Sequence, residues 1–477
     1  MKVKNPKPEA RWHQGQIVEI EIGDLSDSGE GVGRWEGGVV FVPDTVPGDR
    51  LLVKLIRVKP QYATGKVEKL LEPSKQRIRP QCFVADKCGG CQWQQVEYEY
   101  QLEAKQNKIV QALQRIAGLD PASVAPILPS PSPFGYRNKV TYPLGLSGKG
   151  QVQAGYYQKS SHRLINLNKC PVQDERLNPL LEFVKQDIQQ RRWSIYNEGQ
   201  DRGILRHLSL RIGRRTGEIL LTLIANSSRK NRKREIPGLE TQARQWLDRY
   251  PELVGIGINY NSSTSNVIFG PETDCVAGRS YLQEVFGGLQ FQLRADTFFQ
   301  VNTEAAEALL ETMVEELNLQ GSEIIVDAYC GIGTFSLPLA KKLQELGHRS
   351  PTEVQIIGLE AQPQAIELAQ SNASLNNLTN ASFHTGKVEK LLPELEVKPD
   401  IVLLDPPRKG CAPQVLETLR SLQPNCIVYI SCKPATLARD LQFLCEGGDY
   451  ELTKVQPADF FPQTSHVECV AFLRRKA

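Results

Sequence analysis

The cysteines near the N-terminus have the types and spacing of a metal or cluster site. Cys82, Cys88 and Cys91 stand within ten residues, and the two glycines before Cys91 let the backbone wrap closely around a bound group. Cys170, which precedes a proline, is a fourth candidate. Four thiolates suit either zinc or an iron–sulfur cluster, and the spacing leaves both open. Because eleven cysteines are an odd number, we do not expect a disulfide framework.

Cys432 is a candidate nucleophile. It follows an apolar strand predicted over residues 426–431 and precedes a helix predicted over residues 435–443. A helix N-terminus can lower the pKa of a nearby thiol, and the thiolate is the reactive form. Four other cysteines are interpreted as structural residues of the core: Cys275, Cys426, Cys445 and Cys469.

A strand, a glycine turn and a second strand form a candidate cofactor site. The first strand ends at Asp327, and Gly331 and Gly333 follow before a predicted helix. The turn lacks the third glycine of a dinucleotide fingerprint and the lysine of a phosphate-binding loop. Glu360 ends the second strand, where its carboxylate can accept hydrogen bonds from both ribose hydroxyls of an adenosine. This combination favours S-adenosylmethionine (SAM), which has no phosphates.

Two carboxylates are candidates for chemistry beside the cofactor. Asp405 ends a predicted strand, and the two prolines after it fix the chain and remove two amide donors. Arg408 stands where amino-methylating enzymes carry an aromatic residue, which argues against that reaction. Glu468 begins an apolar strand, where a carboxylate is either paired or raised in pKa and able to accept a proton. His466 could be the base instead, although a capping or structural role fits it better.

A thiolate, a methyl donor and a base together suit methylation of the C5 carbon of uracil. C5 is a weak nucleophile until a thiolate adds to C6 and concentrates electron density on C5. A base must then remove the C5 proton so that the cysteine can be eliminated. The target base must also leave its stack, which requires a binding platform for the RNA. Methylation of cytosine C5 uses the same thiolate logic and is an alternative.

Three segments are predicted to position these residues in a multidomain α/β protein. Residues 8–74 alternate Val- and Ile-rich strands with glycine turns, typical of a small barrel of the oligonucleotide-binding (OB) type. Residues 76–290 contain the first cysteines, a helix and basic mixed strands, which predicts a central α+β domain with the metal cluster. Residues 291–477 alternate helices and apolar strands, which predicts a doubly wound sheet with ligands at the strand ends.

The charge is divided unevenly along the chain. Residues 1–240 contain 38 Lys and Arg against 25 Asp and Glu, whereas residues 241–477 contain 19 against 29. The basic half indicates a polyanionic partner, and the acidic half a separate catalytic unit. The densest basic run, residues 228–234, is interpreted as a solvated loop that can touch phosphate. With no stretch of about 20 apolar residues and no signal-peptide core, we expect a cytoplasmic protein without membrane contact.

Several motifs taken together are specific. The segment at 29–49, GEGVGRWEGGVVFVPDTVPGD, resembles the TRAM domain, a small RNA-binding barrel. The other motifs are Cys82…Cys88-Gly-Gly-Cys91…Cys170, Phe298-Phe-Gln300-Val-Asn302, Asp327-Ala-Tyr-Cys-Gly-Ile-Gly333, Asp405-Pro-Pro-Arg408-Lys-Gly410, Ser431-Cys-Lys-Pro434-Ala-Thr-Leu-Ala-Arg-Asp440 and His466-Val-Glu468. With these motifs, residues 15–477 resemble the RNA 5-methyluridine methyltransferases, in the subgroup with a TRAM domain and a [4Fe–4S] cluster.

The resemblance implies a role for each candidate residue. Cys432 would be the nucleophile and Glu468 the base. The ligands of the [4Fe–4S] cluster would be Cys82, Cys88, Cys91 and Cys170. The residues that contact SAM would be Gln300, Tyr329, Thr334, Glu360 and Asp405. Lys433 departs from the family pattern, which usually has a smaller polar residue such as asparagine there, and this bears on substrate contacts rather than on the reaction.

The resemblance also implies an activity and a partner. We expect SAM-dependent methylation of uridine C5 in structured RNA, with 23S ribosomal RNA as the favoured substrate and tRNA as the alternative. Cytosine C5 in RNA is a second alternative. A third is a non-catalytic RNA-binding protein that keeps the methyltransferase fold. A monomer is the expected assembly.

Overall fold

The computed structural model describes residues 12–227, 236–347 and 353–476. The basic run at 228–234 and the first residues of the predicted barrel domain lie outside these ranges. Among the helices within them, none is long and apolar enough to cross a membrane.

The N-terminal strands close into a five-stranded barrel, as the sequence predicts. They are β1 (Ile17–Leu25), β2 (Gly31–Trp35), β3 (Gly38–Val42), β4 (Arg50–Val58) and β5 (Tyr62–Glu72). Their order around the barrel is β1-β2-β3-β5-β4. Two glycines permit close packing inside it: a Cβ at Gly31 would lie 2.0 Å from Thr45 Oγ1, and one at Gly38 would lie 2.1 Å from the Trp12 ring.

A helix follows the first three cysteines of the N-terminal cysteine motif. It is α1 (Tyr98–Ala112), and it continues into a π-helical turn at Leu113–Ala117 that ends at Gly118 with a φ of 65°. Short 3₁₀ turns lie at Pro121–Ser123, Glu198–Gln200 and Leu392–Glu394.

The central part is a seven-stranded sheet with two helices. Its elements are β6 (Lys139–Leu146), β7 (Val152–Tyr157), β8 (Leu164–Asn166), α2 (Leu177–Gln190), β9 (Leu205–Ile212), β10 (Ile219–Ala225), α3 (Leu239–Arg249), β11 (Leu253–Tyr260) and β12 (Glu272–Gly278). The strand order is β12-β11-β10-β9-β6-β7-β8, in which β10 and β11 are parallel and the other pairs antiparallel. Leu181 and Trp246 bring the helices into one apolar core with the sheet.

The C-terminal part is a doubly wound sheet, as predicted. A hairpin and a helix lead into it: β13 (Tyr281–Phe286), β14 (Leu289–Arg294) and α4 (Thr303–Leu317). The sheet and its helices are β15 (Ile325–Ala328), α5 (Ser336–Leu346), β16 (Ile356–Glu360), α6 (Pro363–Leu375), β17 (Ala381–Thr385), α7 (Val388–Leu391), β18 (Ile401–Leu404), α8 (Pro413–Leu422), β19 (Cys426–Ser431), α9 (Pro434–Cys445), β20 (Tyr450–Ala458) and β21 (Glu468–Arg475). The order is β17-β16-β15-β18-β19-β21-β20, in which β21 is antiparallel to both β19 and β20 and the other neighbouring pairs are parallel.

Successive residues of the C-terminal strands face two different helix layers. Ile325 and Val428 pack with α4, α5 and α6, whereas Val326 and Tyr429 pack with α8 and α9. α1 joins the second layer through Ile109. A helix that the sequence grouped with the central domain therefore packs against the C-terminal sheet and against the helix that follows Cys432.

Candidate active site

The carboxyl ends of three parallel strands carry carboxyl groups at one edge of the sheet. β15 lies where the strand order reverses, with β16 on one side and β18 on the other. Doubly wound sheets bind their ligands at such a point. Asp327 lies in β15, Glu360 ends β16 and Asp405 directly follows β18. The fold thus brings two predicted SAM contacts, Glu360 and Asp405, to one edge of the sheet beside Asp327.

Burial disfavours the ionised form of two of these carboxyl groups, Asp327 and Asp405. It raises the pKa of Asp327 to about 7; a hydrogen bond donated by the Ser336 hydroxyl opposes the rise and the charge of Glu360 adds to it. Burial also raises the pKa of Asp405 to about 7, and the charge of Asp327 adds to that rise. A bound cation would favour the ionised form of each group. SAM carries a sulfonium and an ammonium group, so the chemistry of this edge fits it.

The turn after β15 has an unusual backbone. Tyr329 has a φ of 79°, and Gly331 and Gly333 have φ values of 55° and 83°. A tyrosine in the left-handed region is strained, and such strain occurs mainly at functional sites. A Cβ at Gly331 would meet no atom within 4 Å, so the turn is open on that side. Tyr329 lies beside Cys411, and Thr334, just after the turn, is buried.

Gln300 lies at the junction between the central and C-terminal parts. It is buried, and its backbone carbonyl accepts a hydrogen bond of 2.8 Å from the Asn138 side chain, just before β6. Asn302 caps α4 by accepting a hydrogen bond from the Ala305 amide at 3.2 Å. The central sheet therefore fixes the segment that leads into α4, and contact of Gln300 with SAM stays a prediction.

Cys432 lies at the same edge, between β19 and α9, and is half-buried. Burial and the charges of Glu468 and Asp405 raise the pKa of its thiol to about 11, and the charge of Arg408 opposes the rise. The net direction is opposite to the one that the helix N-terminus alone would give, because burial and two nearby carboxylates act against it. The structure places Cys432 and Glu468, the predicted nucleophile and base, close enough for the charge of Glu468 to act on the thiol.

Glu468, the predicted base, is the first residue of β21 and pairs with Ala458 of β20. Burial raises its pKa well above the usual range, the charge of Asp405 adds to the rise, and Arg408 opposes it. His466, the alternative base, has its Nδ1 3.3 Å from an Arg408 guanidinium nitrogen. Burial and the charge of Arg408 lower the pKa of His466 to about 4, so the ring is neutral at pH 7.

The loop that precedes Glu468 is held by α1. Lys105 and Asp459 form a fully buried ion pair of 2.6 Å, and the same ammonium group donates to the Phe461 carbonyl at 3.0 Å. One turn earlier in α1, Gln101 accepts a hydrogen bond of 2.9 Å from the Gln463 amide and donates one of 3.2 Å to its side-chain oxygen. Sequence reasoning missed these residues, which stand more than 350 positions apart and carry no local signal.

The four N-terminal cysteines come together in the structure. They line one cavity of about 50 Å³: Cys82, Cys88, Cys91 and Cys170. Burial raises the pKa of Cys170 to about 12 and raises those of Cys88 and Cys91. Two cations oppose these rises, Lys159 at Cys88 and Arg137 at Cys91.

Across residues 12–227, 236–347 and 353–476, no group of three or more His, Cys, Asp or Glu residues is arranged to hold one metal ion. Soft thiolates that line one cavity are the ligand type of both zinc and iron–sulfur clusters.

Two known families match parts of this chain. The TRAM domain matches residues 11–67, which contain β1 to β4 and part of β5. The tRNA (uracil-5-)-methyltransferase family matches residues 272–476, which begin at β12 and contain the whole C-terminal sheet. Residues 68–271 lie between the two matches, which cover most of the barrel and the candidate active site.

Relatives match nearly the whole chain. An uncharacterized RNA methyltransferase of Nostoc sp. is 60% identical over 462 residues, 97% of each chain. One of Synechocystis sp. is 54% identical over 97% of this chain and 96% of its own. One of Bacillus cereus is 39% identical over 97% of each chain. Their shared name sets aside the alternative of a non-catalytic RNA-binding protein.

A solved structure of an RNA methyltransferase is also similar to nearly the whole chain. The tRNA (uracil-54, C5)-methyltransferase of Pyrococcus abyssi, in complex with S-adenosyl-L-homocysteine, has a TM-score of 0.75 at 29% identity, over 95% of this chain and 99% of that chain. Its bound ligand is SAM without the methyl group, which supports SAM as the methyl donor here. The chain is thus an RNA methyltransferase that belongs to the RNA (uracil-5-)-methyltransferase family and carries an N-terminal TRAM domain.

Proposed function

We propose that this enzyme methylates C5 of a uridine in structured RNA through a covalent bond between Cys432 and C6 of the base. The observation that carries the proposal is the grouping of Cys432, Asp405 and Glu468, which lie close enough to shift one another's ionisation. They stand at the sheet edge where doubly wound folds bind ligands. A nucleophile and a base beside a methyl-donor site are what C5 methylation needs.

Cys432 adds to C6 as a thiolate. With a pKa of about 11, only about one thiol in 10⁴ is ionised at pH 7, so the site must favour the anion during the reaction. Arg408 does so by its charge. Addition to C6 then places electron density on C5.

Glu468 accepts the C5 proton, after which Cys432 is eliminated and the free 5-methyluridine forms. A buried carboxylate with a raised pKa is a stronger base than an exposed one. Bound SAM supplies the electrophilic methyl group. The residues that would hold it are Gln300, Tyr329, Thr334, Glu360 and Asp405.

The other segments would bind and orient the RNA. In this proposal residues 8–74 and 76–290 form the RNA-binding domains and residues 291–477 transfer the methyl group. The [4Fe–4S] cluster would be held by Cys82, Cys88, Cys91 and Cys170, whose shared cavity supports the assignment. A cluster there stabilises the fold between barrel and central sheet, since a bridge joins Cys88 to Gln158, and Lys159 pairs with Asp44 of the barrel.

The RNA substrate is proposed first as a class, structured RNA, and then as one particular RNA. Structured RNA follows from the family and the TRAM domain. The motif resemblance favours 23S ribosomal RNA, whereas the similarity to the Pyrococcus abyssi enzyme, named for uracil-54 of tRNA, favours tRNA as the second candidate. We propose 23S ribosomal RNA and design the experiment so that tRNA can displace it.

The test is a single-turnover reaction with methyl-deuterated SAM. Anaerobically purified protein is incubated separately with unmodified 23S ribosomal RNA and with unmodified tRNA, and nucleosides are analysed by mass spectrometry. Deuterated 5-methyluridine from ribosomal RNA is the expected result. The same product from tRNA alone would correct the substrate and keep the reaction. Label in 5-methylcytidine would overturn the base assignment, and no label in either pool would overturn the proposed function.

A further inference from the structure

The loop between β20 and β21 leads to the predicted base and is held by distant parts of the chain. It covers residues 459–466, and Glu468 follows two positions later. Its hydrogen bonds reach the barrel turn at residues 26–29, the segment directly after Cys91, and α1. The place of the base therefore depends on segments to which the proposed mechanism gives no part in the reaction.

One residue of this loop, Gln463, bonds through all its polar atoms. Its carbonyl accepts hydrogen bonds from two successive amides, those of Gln92 at 3.1 Å and Trp93 at 3.0 Å. Its amide and its side-chain oxygen pair with the side-chain amide of Gln101, at 2.9 and 3.2 Å. Its side-chain nitrogen donates to the Pro133 carbonyl at 3.4 Å. All these partners lie between the barrel and β6.

The partners of Gln463 are themselves fixed. Gln101 is fully buried, and its side-chain nitrogen also donates to the carbonyls of Trp93 and Val96 at 3.0 and 2.9 Å. The Trp93 indole donates to the Gly29 carbonyl of the barrel at 3.0 Å. Gln463 therefore attaches the loop to a frame of barrel, cysteine segment and helix that has few ways to move.

The backbone of Gln463 is strained. Its φ is 69°, and it is the third residue of a turn in which the Thr464 amide donates to the Phe461 carbonyl at 3.2 Å. Proline at the second position and a positive φ at the third are typical of a type II turn, where glycine is preferred. Glutamine bears a backbone cost here that glycine would not, and such strain is concentrated at functional sites. Its side chain therefore has a role that outweighs this cost.

We propose that Gln463 is a positioning residue, which fixes the loop so that the Glu468 carboxylate meets the C5 proton. In that step the carboxylate takes the proton, the C5–H electron pair forms the C5=C6 double bond, and the Cys432 sulfur leaves C6 as a thiolate. Addition of Cys432 and methyl transfer come earlier and need no base at C5. A displaced carboxylate therefore slows product release selectively. The inference rests on the proposed function, because it takes Glu468 as the base.

The main variant is Gln463→Gly, which removes the side chain and relieves the backbone strain, so that the variant can fold. The matched control is Gln423→Gly. Gln423 is an exposed glutamine with a φ of 49° at the end of α8, ahead of β19 and thus on the sheet edge opposite Cys432. Gln101→Ala and the double variant with Gln463→Gly remove the same contact from its other side. Calorimetric titration with SAM and a thermal scan check the fold of each.

Two steps of the reaction are measured separately on the anaerobically purified full chain. Gln463→Gly should form the covalent adduct with 5-fluorouridine RNA at about the wild-type rate, since that adduct needs no proton removal. Release of 5-methyluridine RNA should be about 10- to 100-fold slower, and methylated RNA still bound to Cys432 should accumulate. The double variant with Gln101→Ala should be no slower than the slower single variant, because both changes break one contact. Gln423→Gly should match the wild type in both steps.

Hydrogen–deuterium exchange reports the hold on the loop without any reaction. The peptide that covers residues 459–468 should exchange about tenfold faster in Gln463→Gly than in the wild type, because its hydrogen bonds open more often. Gln423→Gly should leave the exchange of this peptide unchanged. Unchanged exchange in Gln463→Gly would overturn the inference.

The remaining outcomes separate a failure of the inference from a failure of the proposed function. Accumulation of methylated adduct in Glu468→Gln but not in Gln463→Gly would keep the function and overturn the positioning role. Equal losses of adduct formation, release and SAM affinity in Gln463→Gly would overturn it too, because a general structural role has that signature. Faster exchange in the variant of an enzyme whose wild type makes no 5-methyluridine would overturn the proposed function and keep the anchoring of the loop.

Discussion

The two sulfur sites of this enzyme differ in the charges around them. Burial raises the pKa of the thiol at both, to about 11 at Cys432 and about 12 at Cys170. At Cys432 the charges of the carboxylates Glu468 and Asp405 add to the rise in pKa, and the charge of Arg408 opposes it. A buried thiol among carboxylates stays protonated until a ligand changes its surroundings. At neutral pH Cys432 therefore becomes a thiolate, its nucleophilic form, only when a ligand is bound.

The N-terminal cavity has a different composition. There the charges of neighbouring cysteines add to the rise in thiol pKa that burial causes. Lys159 opposes this rise at Cys88, and Arg137 opposes it at Cys91. Cations around several thiols favour one lasting anionic group, as an iron–sulfur cluster with four thiolates is. The comparison suggests that burial alone does not assign a cysteine its role. At both sites anionic groups raise the thiol pKa and a cation lowers it, but the anionic groups are carboxylates at Cys432 and neighbouring cysteines in the cavity.

The largest expected effect comes from removing the reactive thiol. Cys432→Ala should reduce 5-methyluridine formation by about 10⁴-fold or more, because C5 is not activated without addition to C6. The covalent adduct with 5-fluorouridine RNA, seen on a denaturing gel, should disappear. The matched control is Cys275→Ala, which removes a thiol that was expected in the core but is exposed, and this variant should keep both. An adduct that survives Cys432→Ala would show that another residue is the nucleophile.

A smaller loss is expected from Glu468→Gln. The amide keeps the size of the side chain but cannot accept a proton, so turnover should fall about 10²- to 10⁴-fold while addition of Cys432 continues. RNA that is methylated and still bound to the protein should therefore accumulate, which mass spectrometry of the complex detects. Glu451→Gln, on an exposed position of β20, is the control. Normal release of product from Glu468→Gln would assign the base elsewhere.

The periodic parts of the fold could be predicted from the sequence. The strand at Cys426–Ser431 has the predicted bounds, because an apolar run of strand length is a local signal. The barrel follows from short strands between glycine turns, one of which, Gly38, leaves room for a tryptophan ring. The grouping of Cys432 with Glu468 came from motif resemblance and agrees with the structure.

The electrostatics of the site could not be predicted in the same way. The pKa of Cys432 depends on Asp405 and Arg408, which follow β18, and on Glu468, the first residue of β21, and a helix N-terminus alone gives the opposite direction. Lys105 and Asp459 form a buried pair across 354 positions of sequence, and neither lies in a pattern that indicates its partner. Such contacts are set by packing of α1 on the C-terminal sheet, which no local periodicity encodes.

The cluster cavity gives the next prediction. Cys170→Ala should lose bound iron and lower Tm by several degrees, since metal binding contributes folding free energy. Removal of a sulfur from a cavity that holds no cluster costs only about 1 kcal/mol. Cys445→Ala, at a half-buried cysteine of α9, is the control and should keep the iron. Iron and sulfide analysis of the anaerobic protein, with a thermal scan, tests this. A wild type without iron would overturn the cluster.

The smallest expected effect concerns the charge of Arg408 beside Cys432. Arg408 lowers the pKa of this thiol, so Arg408→Gln should raise it. Alkylation by iodoacetamide proceeds through the thiolate, whose fraction rises with pH up to a pKa of about 11 in the wild type. The variant's curve should lie at higher pH, and a rise of about half a pKa unit would slow alkylation about threefold at pH 8.

Peptide mass spectrometry resolves Cys432 from the other cysteines, and Lys409→Gln removes a neighbouring exposed charge as the control. The control should follow the wild-type curve, because Lys409 is not among the charges that shift this thiol. If Arg408→Gln reacts as fast as the wild type, the reactivity of Cys432 depends on the N-terminus of α9 rather than on side-chain charges. The two sulfur sites would then differ in backbone placement rather than in the side-chain charges around them.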